Sequence, residues 1–327
     1  MKRVLVTGAS GFIGSHVAEE LVQRGVPVRV LIRKKSSLRH LSQVKVETAT
    51  GDVTEPASLP AALEGVEGVI HCAGLTRAIS YQQYRSVNRD GTENILRACL
   101  AANPHPSRIV CLGSLAAYGP SCASRPLTET DQPHPVSYYG RSKLEGHKVA
   151  ESFMKNLSIT ILLPPAVYGP RDKDVFVYFK LADLGIVPFL GFREKTISLI
   201  HVQDVAGAAA ECLLRKEASG RSYFVEDGQP HSWKDFARAI CSARGTRSLP
   251  IVLPLPVARF AAVLAEIYAR ISRRPPLLGI QKMRELAQPS WTCSGERIRK
   301  ELGFQCRFPL SVGVADTLSW YKEHHWL

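Results

Sequence analysis

Two short stretches of this chain combine residue types and spacings that suit chemistry: Thr7-Gly8-Ala9-Ser10-Gly11-Phe12-Ile13-Gly14 and Tyr139-Gly140-Arg141-Ser142-Lys143. In the first, glycines lie between an apolar run, Val4-Leu5-Val6, and a helical pattern that begins near Phe12. Such glycines permit a tight turn, let backbone approach phosphate oxygens, and allow a helix to pack closely on a strand. The helix N-terminus would offer orphan N–H donors and partial positive charge to a pyrophosphate. The spacing is GxxGxxG rather than GxGxxG, so the turn alone does not establish a dinucleotide site. In the second stretch, the phenol and the ammonium lie one helical turn apart and face the same way. A tyrosine has a pKa of about 10 in water. A nearby ammonium and the positive charge of an oxidised nicotinamide both favour phenolate and bring that value toward the working pH. Ser114 follows the strand-like run Val110-Cys111-Leu112-Gly113, at the carboxyl edge of a sheet where ligands bind in open α/β folds. We therefore expect Ser114 to hold a substrate oxygen, Tyr139 to exchange its proton, and Lys143 also to bind the nicotinamide ribose. Tyr138 lacks a lysine four residues on and is expected to pack or gate the pocket.

The end of the second strand bears on which nicotinamide cofactor binds. A carboxylate there would accept from ribose hydroxyls and repel a 2′-phosphate. This chain has Arg33-Lys34-Lys35-Ser36-Ser37 instead, where Arg33 can pair a phosphate bidentately with Lys34 close by. NADP is the expected cofactor, with NAD the alternative. Asp52 is placed to accept from an adenine amino group, or else to cap the helix near 57. Cys72-Ala73-Gly74 supply small residues where the backbone must pass under a cofactor, and His71 beside them reads as a satisfied core histidine.

Positioning these groups requires alternating strands and helices. Short β-branched runs near 3–7, 27–32, 44–49, 67–71, 107–113 and 158–163 alternate with helical patterns near 12–24, 57–63, 84–102 and 138–155. That alternation predicts an α/β fold with a doubly wound parallel sheet. After Pro164-Pro165 it breaks down. A strand near 197–200, a helix at 203–214 and a strand at 222–225 are expected to return to the sheet. The remainder reads as a smaller, mostly helical C-terminal lobe for substrate. The expected division is 1–165 with 197–226 for the dinucleotide, and 166–196 with 227–327 for substrate. Within that lobe, 256–274 reads as an amphipathic helix. Arg259, Glu266, Arg270 and Arg273 share one face, and Val257, Phe260, Val263, Leu264, Ile267 and Ile271 fill the others. We expect a lid or lobe helix packed on the core; the alternative is contact with a membrane surface.

Composition narrows the partners. The chain has 327 residues, 45% hydrophobic and 22% charged, ordinary values for a globular protein. A net charge of +13 admits nucleic acid, an anionic membrane surface or an anionic ligand. The basic residues are scattered and carry no nucleic-acid motif, so no nucleic acid is expected. Eight cysteines form no CxxC pair and no metal-ligand spacing, so no metal site is expected and a reducing, cytoplasmic setting fits. No run of 18 apolar residues suggests a membrane span, and Lys2-Arg3 leads straight into the first strand without a signal-peptide core.

These residues resemble the extended short-chain dehydrogenase/reductase family, also called the NAD-dependent epimerase/dehydratase superfamily. The likeness runs through Thr7-Gly8-x-x-Gly11-x-x-Gly14, Asp52-Val53, His71-x-Ala73-Gly74, Asn88-x-x-Gly91-Thr92-x-Asn94, Ser114 with Tyr118-Gly119, Tyr139-x-x-x-Lys143, Val167-Tyr168-Gly169-Pro170 and His201-Val202-x-Asp204-Val205. It implies a Rossmann fold, a C-terminal substrate lobe and catalysis by Ser114, Tyr139 and Lys143. It also implies cofactor contacts at Gly8, Ser10, Gly11, Phe12, Ile13, Gly14, Arg33, Lys34, Asp52, Val53, Cys72, Ala73, Gly74, Asn88, Tyr139, Lys143, Pro164 and Val167. Many members dimerise through the two helices that span about 84–102 and 138–155 here. Sugar dehydratases of the family carry an Asp-Glu pair where this chain has Leu115 and Ala116, so elimination is not expected. Nucleotide-sugar epimerases commonly carry Asn where Ala166 stands and Arg where Leu163 stands. The pattern looks most like the dihydroflavonol reductase and 3β-hydroxysteroid dehydrogenase branch. The expectation is an NADP(H)-dependent oxidoreductase interconverting a ketone and a secondary alcohol on an apolar small molecule. The alternative is a nucleotide-sugar epimerase with tightly bound NAD; a non-catalytic redox sensor fits less well, since Tyr139 and Lys143 are both present.

Overall fold

The structure, a computed structural model, describes residues 1–327 apart from positions 123, 247 and 277, and describes Arg270 by its backbone alone. The place of the Arg270 side chain on the predicted polar face therefore lies outside the described residues.

The first half alternates as its periodicity requires. In chain order it runs β1 (Val4–Thr7), α1 (Phe12–Gln23), β2 (Val28–Ile32), β3 (Glu47–Thr50), α2 (Pro60–Leu63), β4 (Gly68–His71), α3 (Tyr81–Arg85), α4 (Gly91–Ala101), β5 (Arg108–Leu112), α5 (Tyr138–Phe153) and β6 (Ile159–Leu163). The second half runs β7 (Ala166–Tyr168), α6 (Phe176–Asp183), β8 (Ile186–Leu190), β9 (Thr196–Ile197), β10 (Leu199–His201), α7 (Val202–Leu214), β11 (Arg221–Phe224), β12 (His231–Ser232) and α8 (Trp233–Arg244). It ends with β13 (Leu249–Leu253), α9 (Leu255–Ser272), α10 (Ile280–Leu286), β14 (Ser290–Trp291), α11 (Glu296–Leu302) and α12 (Leu310–Glu323).

Seven parallel strands form one sheet in the order β11-β6-β5-β4-β1-β2-β3. Strand order reverses beside β1, and the crevice at the carboxyl ends of β1 and β4 is the switch point where such sheets bind ligands. The inner strands read as largely apolar runs because helices cover both faces, with Arg29 in β2 and Thr160 in β6 as buried exceptions. Val6, Val17, Leu21, Val205 and Leu213 build the core under α1 and α7. Leu5, Val69, Ile95, Leu96 and Ile161 build the opposite core under α4 and α5. A third core, with Tyr168, Phe179, Phe236 and Tyr321 fully or almost fully buried, holds the C-terminal helical region together.

Three expectations change. The helix predicted over 84–102 is interrupted: α3 and α4 are joined by a π-turn, Ser86–Asp90. The strand predicted near 197–200 does not return to the main sheet. β10 pairs with β7, while β9 pairs with β12 and β14, so only β11 rejoins beside β6. The helix near 256–274 forms as α9, but it is inverted with respect to packing on the core. Ala258, Ala262 and Ala269 are its buried residues, and Val257, Phe260, Val263, Leu264, Ile267 and Ile271 face outward. Spaced alanines let α9 approach α10 through Met283, whereas the bulky residues have no described element above them.

Candidate active site

The glycine turn is shaped by close approach. Gly8 has φ +72°, in the left-handed region that side chains rarely adopt, and a Cβ there would lie 2.7 Å from the Ala73 nitrogen. A Cβ at Gly14 would lie 2.3 Å from the Gly8 carbonyl oxygen, so α1 can follow the turn this closely only with glycine. Gly11 is the N-cap of α1; it supplies no side-chain cap, and the first turn of the helix has no carboxylate. The orphan N–H groups of that turn, with Ser10, Phe12 and Ile13 around them, fit the pyrophosphate of a dinucleotide.

A relay of hydrogen bonds ties this turn to the next strand. The Ala73 N–H donates to Thr7 Oγ1 at 3.1 Å, which lies 2.8 Å from His71 Nδ1. On the other side of the ring, Nε2 lies 3.2 Å from Thr92 Oγ1, which donates to the Asn88 carbonyl. The chain is consistent when His71 is neutral with its proton on Nε2, an assignment made from the partners. Burial lowers its pKa to about 3. His71 is thus a structural histidine.

Asn88 lies in the π-turn, and its side chain is engaged by protein. Oδ1 accepts from Leu75 N at 2.7 Å, and Nδ2 donates to Leu75 O at 3.0 Å and to Ser142 Oγ at 2.9 Å. The extra residue of the π-turn is what aims this amide at both the loop after Gly74 and helix α5. Cys72 is half-buried, and desolvation pushes its thiol up to about 12. Asp52 uses Oδ1 to accept from Thr54 N and Thr54 Oγ1 at 2.9 and 2.8 Å, which caps its own turn. Val53 packs beneath Gly91. Arg33 and Lys34 lie exposed on the turn after β2, closed by the Ser36 N–H to Arg33 O bond at 2.8 Å. Pro164 accepts from Leu115 N at 2.9 Å, and Val167 pairs with Ile200.

Ser114 caps the short 3₁₀ turn Leu115–Ala117, accepting from Ala116 N at 3.1 Å. The Ser114 hydroxyl also lies near enough to Tyr139 to favour its phenolate. Burial raises the Tyr139 pKa and outweighs the lowering by Ser114. The lowering expected from sequence is therefore not supplied by the protein's own field. Lys143 Nζ donates to the Leu112 carbonyl at 2.6 Å, under Gly74, and burial brings its pKa down to about 8. Ser137 caps α5 by accepting from Gly140 N, so the first helical turn presents Tyr139 at the sheet edge. Tyr138 is exposed and packs on Tyr81, with ring centroids 5.5 Å apart.

The opposite wall comes from α10, which carries groups that sequence reading missed. Ser137 Oγ donates to Glu285 at 2.6 Å, and Tyr138 N donates to Gln281 at 3.0 Å. Lys282 pairs with Glu285 at 3.0 Å, and both charges reach Tyr139: Glu285 raises its pKa and Lys282 lowers it. Nothing in the local pattern of 280–286 announces a partner more than 140 residues away. Arg171 was also missed. It has φ +74° and bridges β7 to α1 through Ser15, His16 and Glu19 at 3.0, 3.1 and 2.6 Å.

A seven-stranded Rossmann sheet with a glycine cradle at its switch point fits a dinucleotide-dependent enzyme. The sequence profile of the NAD dependent epimerase/dehydratase family matches residues 4–225, and the chain belongs to that family. It is an NAD(P)-dependent dehydrogenase/reductase of the extended short-chain type. It is 31% identical to the ceramide reductase of Caulobacter vibrioides over 99% of this chain and 96% of that protein. It is 24% identical to the decarboxylating sterol-4-alpha-carboxylate 3-dehydrogenase of Dictyostelium discoideum, over 96% of this chain and 99% of that one. Among solved structures, it is similar to gox2253, with a TM-score of 0.81 and 26% identity over 99% of each chain.

Proposed function

We propose that this enzyme uses NADP(H) to interconvert a ketone and a secondary alcohol on an apolar, lipid-like molecule, with Ser114, Tyr139 and Lys143 as its catalytic residues. The observation that carries this reading is the placement of Ser114, just after β5 at the sheet edge, with Tyr139 and Lys143 one helical turn apart on α5 and Lys143 donating to the carbonyl of Leu112 at the end of β5. A bound dihydronicotinamide supplies the hydride to the carbonyl carbon. Ser114 donates to the substrate oxygen, and Tyr139 gives that oxygen its phenolic proton as negative charge develops there. Lys143, held by the Leu112 carbonyl, offers an ammonium to the phenolate that remains. Oxidation of the alcohol runs through the same groups in reverse.

The NADP preference is supported by Arg33 and Lys34 on an exposed turn, with no ion pair to either among the described residues. An apolar substrate is supported by the similarity to a ceramide reductase and a sterol dehydrogenase. Leu115, Ala116 and Ala166 argue against elimination and against a grip on a sugar-nucleotide diphosphate. All eight cysteines are free, which agrees with a reducing, cytoplasmic setting. The test is a parallel assay: NADPH oxidation with long-chain keto-lipids and ring ketones, and epimer formation from UDP-sugars. Ketone-dependent NADPH oxidation is the expected result. Epimer formation without ketone turnover would overturn it.

A further inference from the structure

Of the fifteen large apolar side chains that are exposed among the described residues, eleven lie between Leu249 and Ile271. They form one surface from β13, whose five residues are all exposed, and the outward side of α9. Phe260, Tyr268 and Ile271 are 67%, 69% and 78% exposed. Phe192, 83% exposed, extends the surface from the neighbouring loop, where Gly191 N donates to Leu253 O. A helix in water normally turns its bulky residues inward. α9 does the reverse, burying Ala258 and Ala262 beside Met283 of α10, with Ala269 buried as well, while it displays Phe260, Leu264, Ile267 and Ile271. Contiguous apolar patches of this kind on soluble proteins mark interaction sites.

The charges around the patch identify what covers it. Segment 249–274 contains four arginines and a single carboxylate, Glu266. Glu266 turns away: a Cβ at Gly279, on the α10 side, would stand 2.8 Å from its Oε2. Arg259, Arg273 and Arg274 are exposed, and none of them is in an ion pair among the described residues. Exposed Arg193 adjoins Phe192. We propose that β13 and α9 seat this enzyme on the surface of an anionic lipid bilayer, with the apolar side chains in the acyl boundary and the arginines at the headgroups. A symmetric pairing of two copies through this face would bring the same arginines together from both sides. Among the described residues no helix is long and apolar enough to cross a membrane, so the contact lies along the surface.

This docking is independent of the reaction proposed above and is tested without turnover. The full chain is floated with vesicles of phosphatidylcholine alone and of phosphatidylcholine mixed with phosphatidylglycerol, at low and high salt. It should float with the anionic vesicles, more weakly at high salt. Arg259→Gln/Arg273→Gln/Arg274→Gln should weaken binding by about fivefold per charge, on the order of a hundredfold in all. Phe260→Ser/Ile267→Ser/Ile271→Ser should abolish it while keeping the wild-type thermal transition. Failure of the wild type to float with anionic vesicles, or equal flotation with neutral ones, would overturn the proposal. So would a dimer in sedimentation equilibrium that the apolar triple variant converts to monomer.

Discussion

Tyr139 is held between opposing influences: burial and Glu285 raise its pKa, while Ser114 and Lys282 lower it. A phenol kept protonated in this way is suited to donate in reduction, and its proposed role makes a direct prediction. Tyr139→Phe should lose at least about a hundredfold in turnover, the usual scale for a general acid, while retaining NADPH binding. Tyr138→Phe, altering an exposed ring that packs on Tyr81, should cost little. Near-normal turnover by Tyr139→Phe would remove it as the proton donor. Arg33 carries the cofactor choice on the same reading. Arg33→Ala should narrow the preference for NADPH over NADH by about 1.5–3 kcal/mol, the usual contribution of a charge-assisted hydrogen bond. Fluorescence titration with both cofactors measures it, and an NADH preference in the wild type would reject the assignment.

At the scale of elements, α9 has two sides with opposite tolerance. Ala262 is fully buried against α10, so Ala262→Leu should overpack the contact with Met283 and destabilise by about 1–3 kcal/mol. Ile267→Ala, on the exposed side, should change stability by no more than about 0.5 kcal/mol in urea unfolding. The reverse ranking would mean that the helix packs through its bulky side. Periodicity in the sequence correctly indicates a helix here but cannot say which side faces the protein, because an alanine stripe and an aliphatic stripe are both apolar. The π-turn at Ser86–Asp90 is hidden for a related reason: one extra residue scarcely disturbs a helical pattern over 84–102. The strand alternation up to β6 is legible because each inner strand is buried on both faces and is therefore mostly apolar. The glycine turn and the Tyr139–Lys143 spacing are legible because their geometry is local. β10 pairing with β7, and Glu285 meeting Ser137, depend on contacts distant in sequence, and no local pattern encodes them.

Across the whole molecule, a net charge of +13 coexists with histidines that are kept neutral inside the fold. His16 is held well below the usual range by burial and by the neighbouring Arg171, and His71 is lowered to about 3 by burial. Both flank the glycine turn, one within α1 and the other joining β4 to α4 through Thr92. Their linkage to stability has a definite sign. An unfolded chain takes up a proton at His71 near pH 6.5, whereas the folded chain refuses it until about pH 3. The unfolded state therefore binds more protons between those values, and folding stability must fall as the pH drops through that window. His71→Asn removes this proton while keeping a polar side chain between Thr7 and Thr92. The variant should be less stable than wild type at pH 7, where both hydrogen bonds of the ring are intact. Its deficit should then shrink by about 1.4 kcal/mol per pH unit as the pH falls below 6.5, because only the wild type resists that proton. Urea unfolding followed by tryptophan fluorescence at pH 7, 5.5 and 4.5 reads the difference directly. A deficit that stays constant over this range would show that His71 titrates alike in the folded and unfolded chain, and that it is not the buried neutral strut between the glycine turn and Asn88.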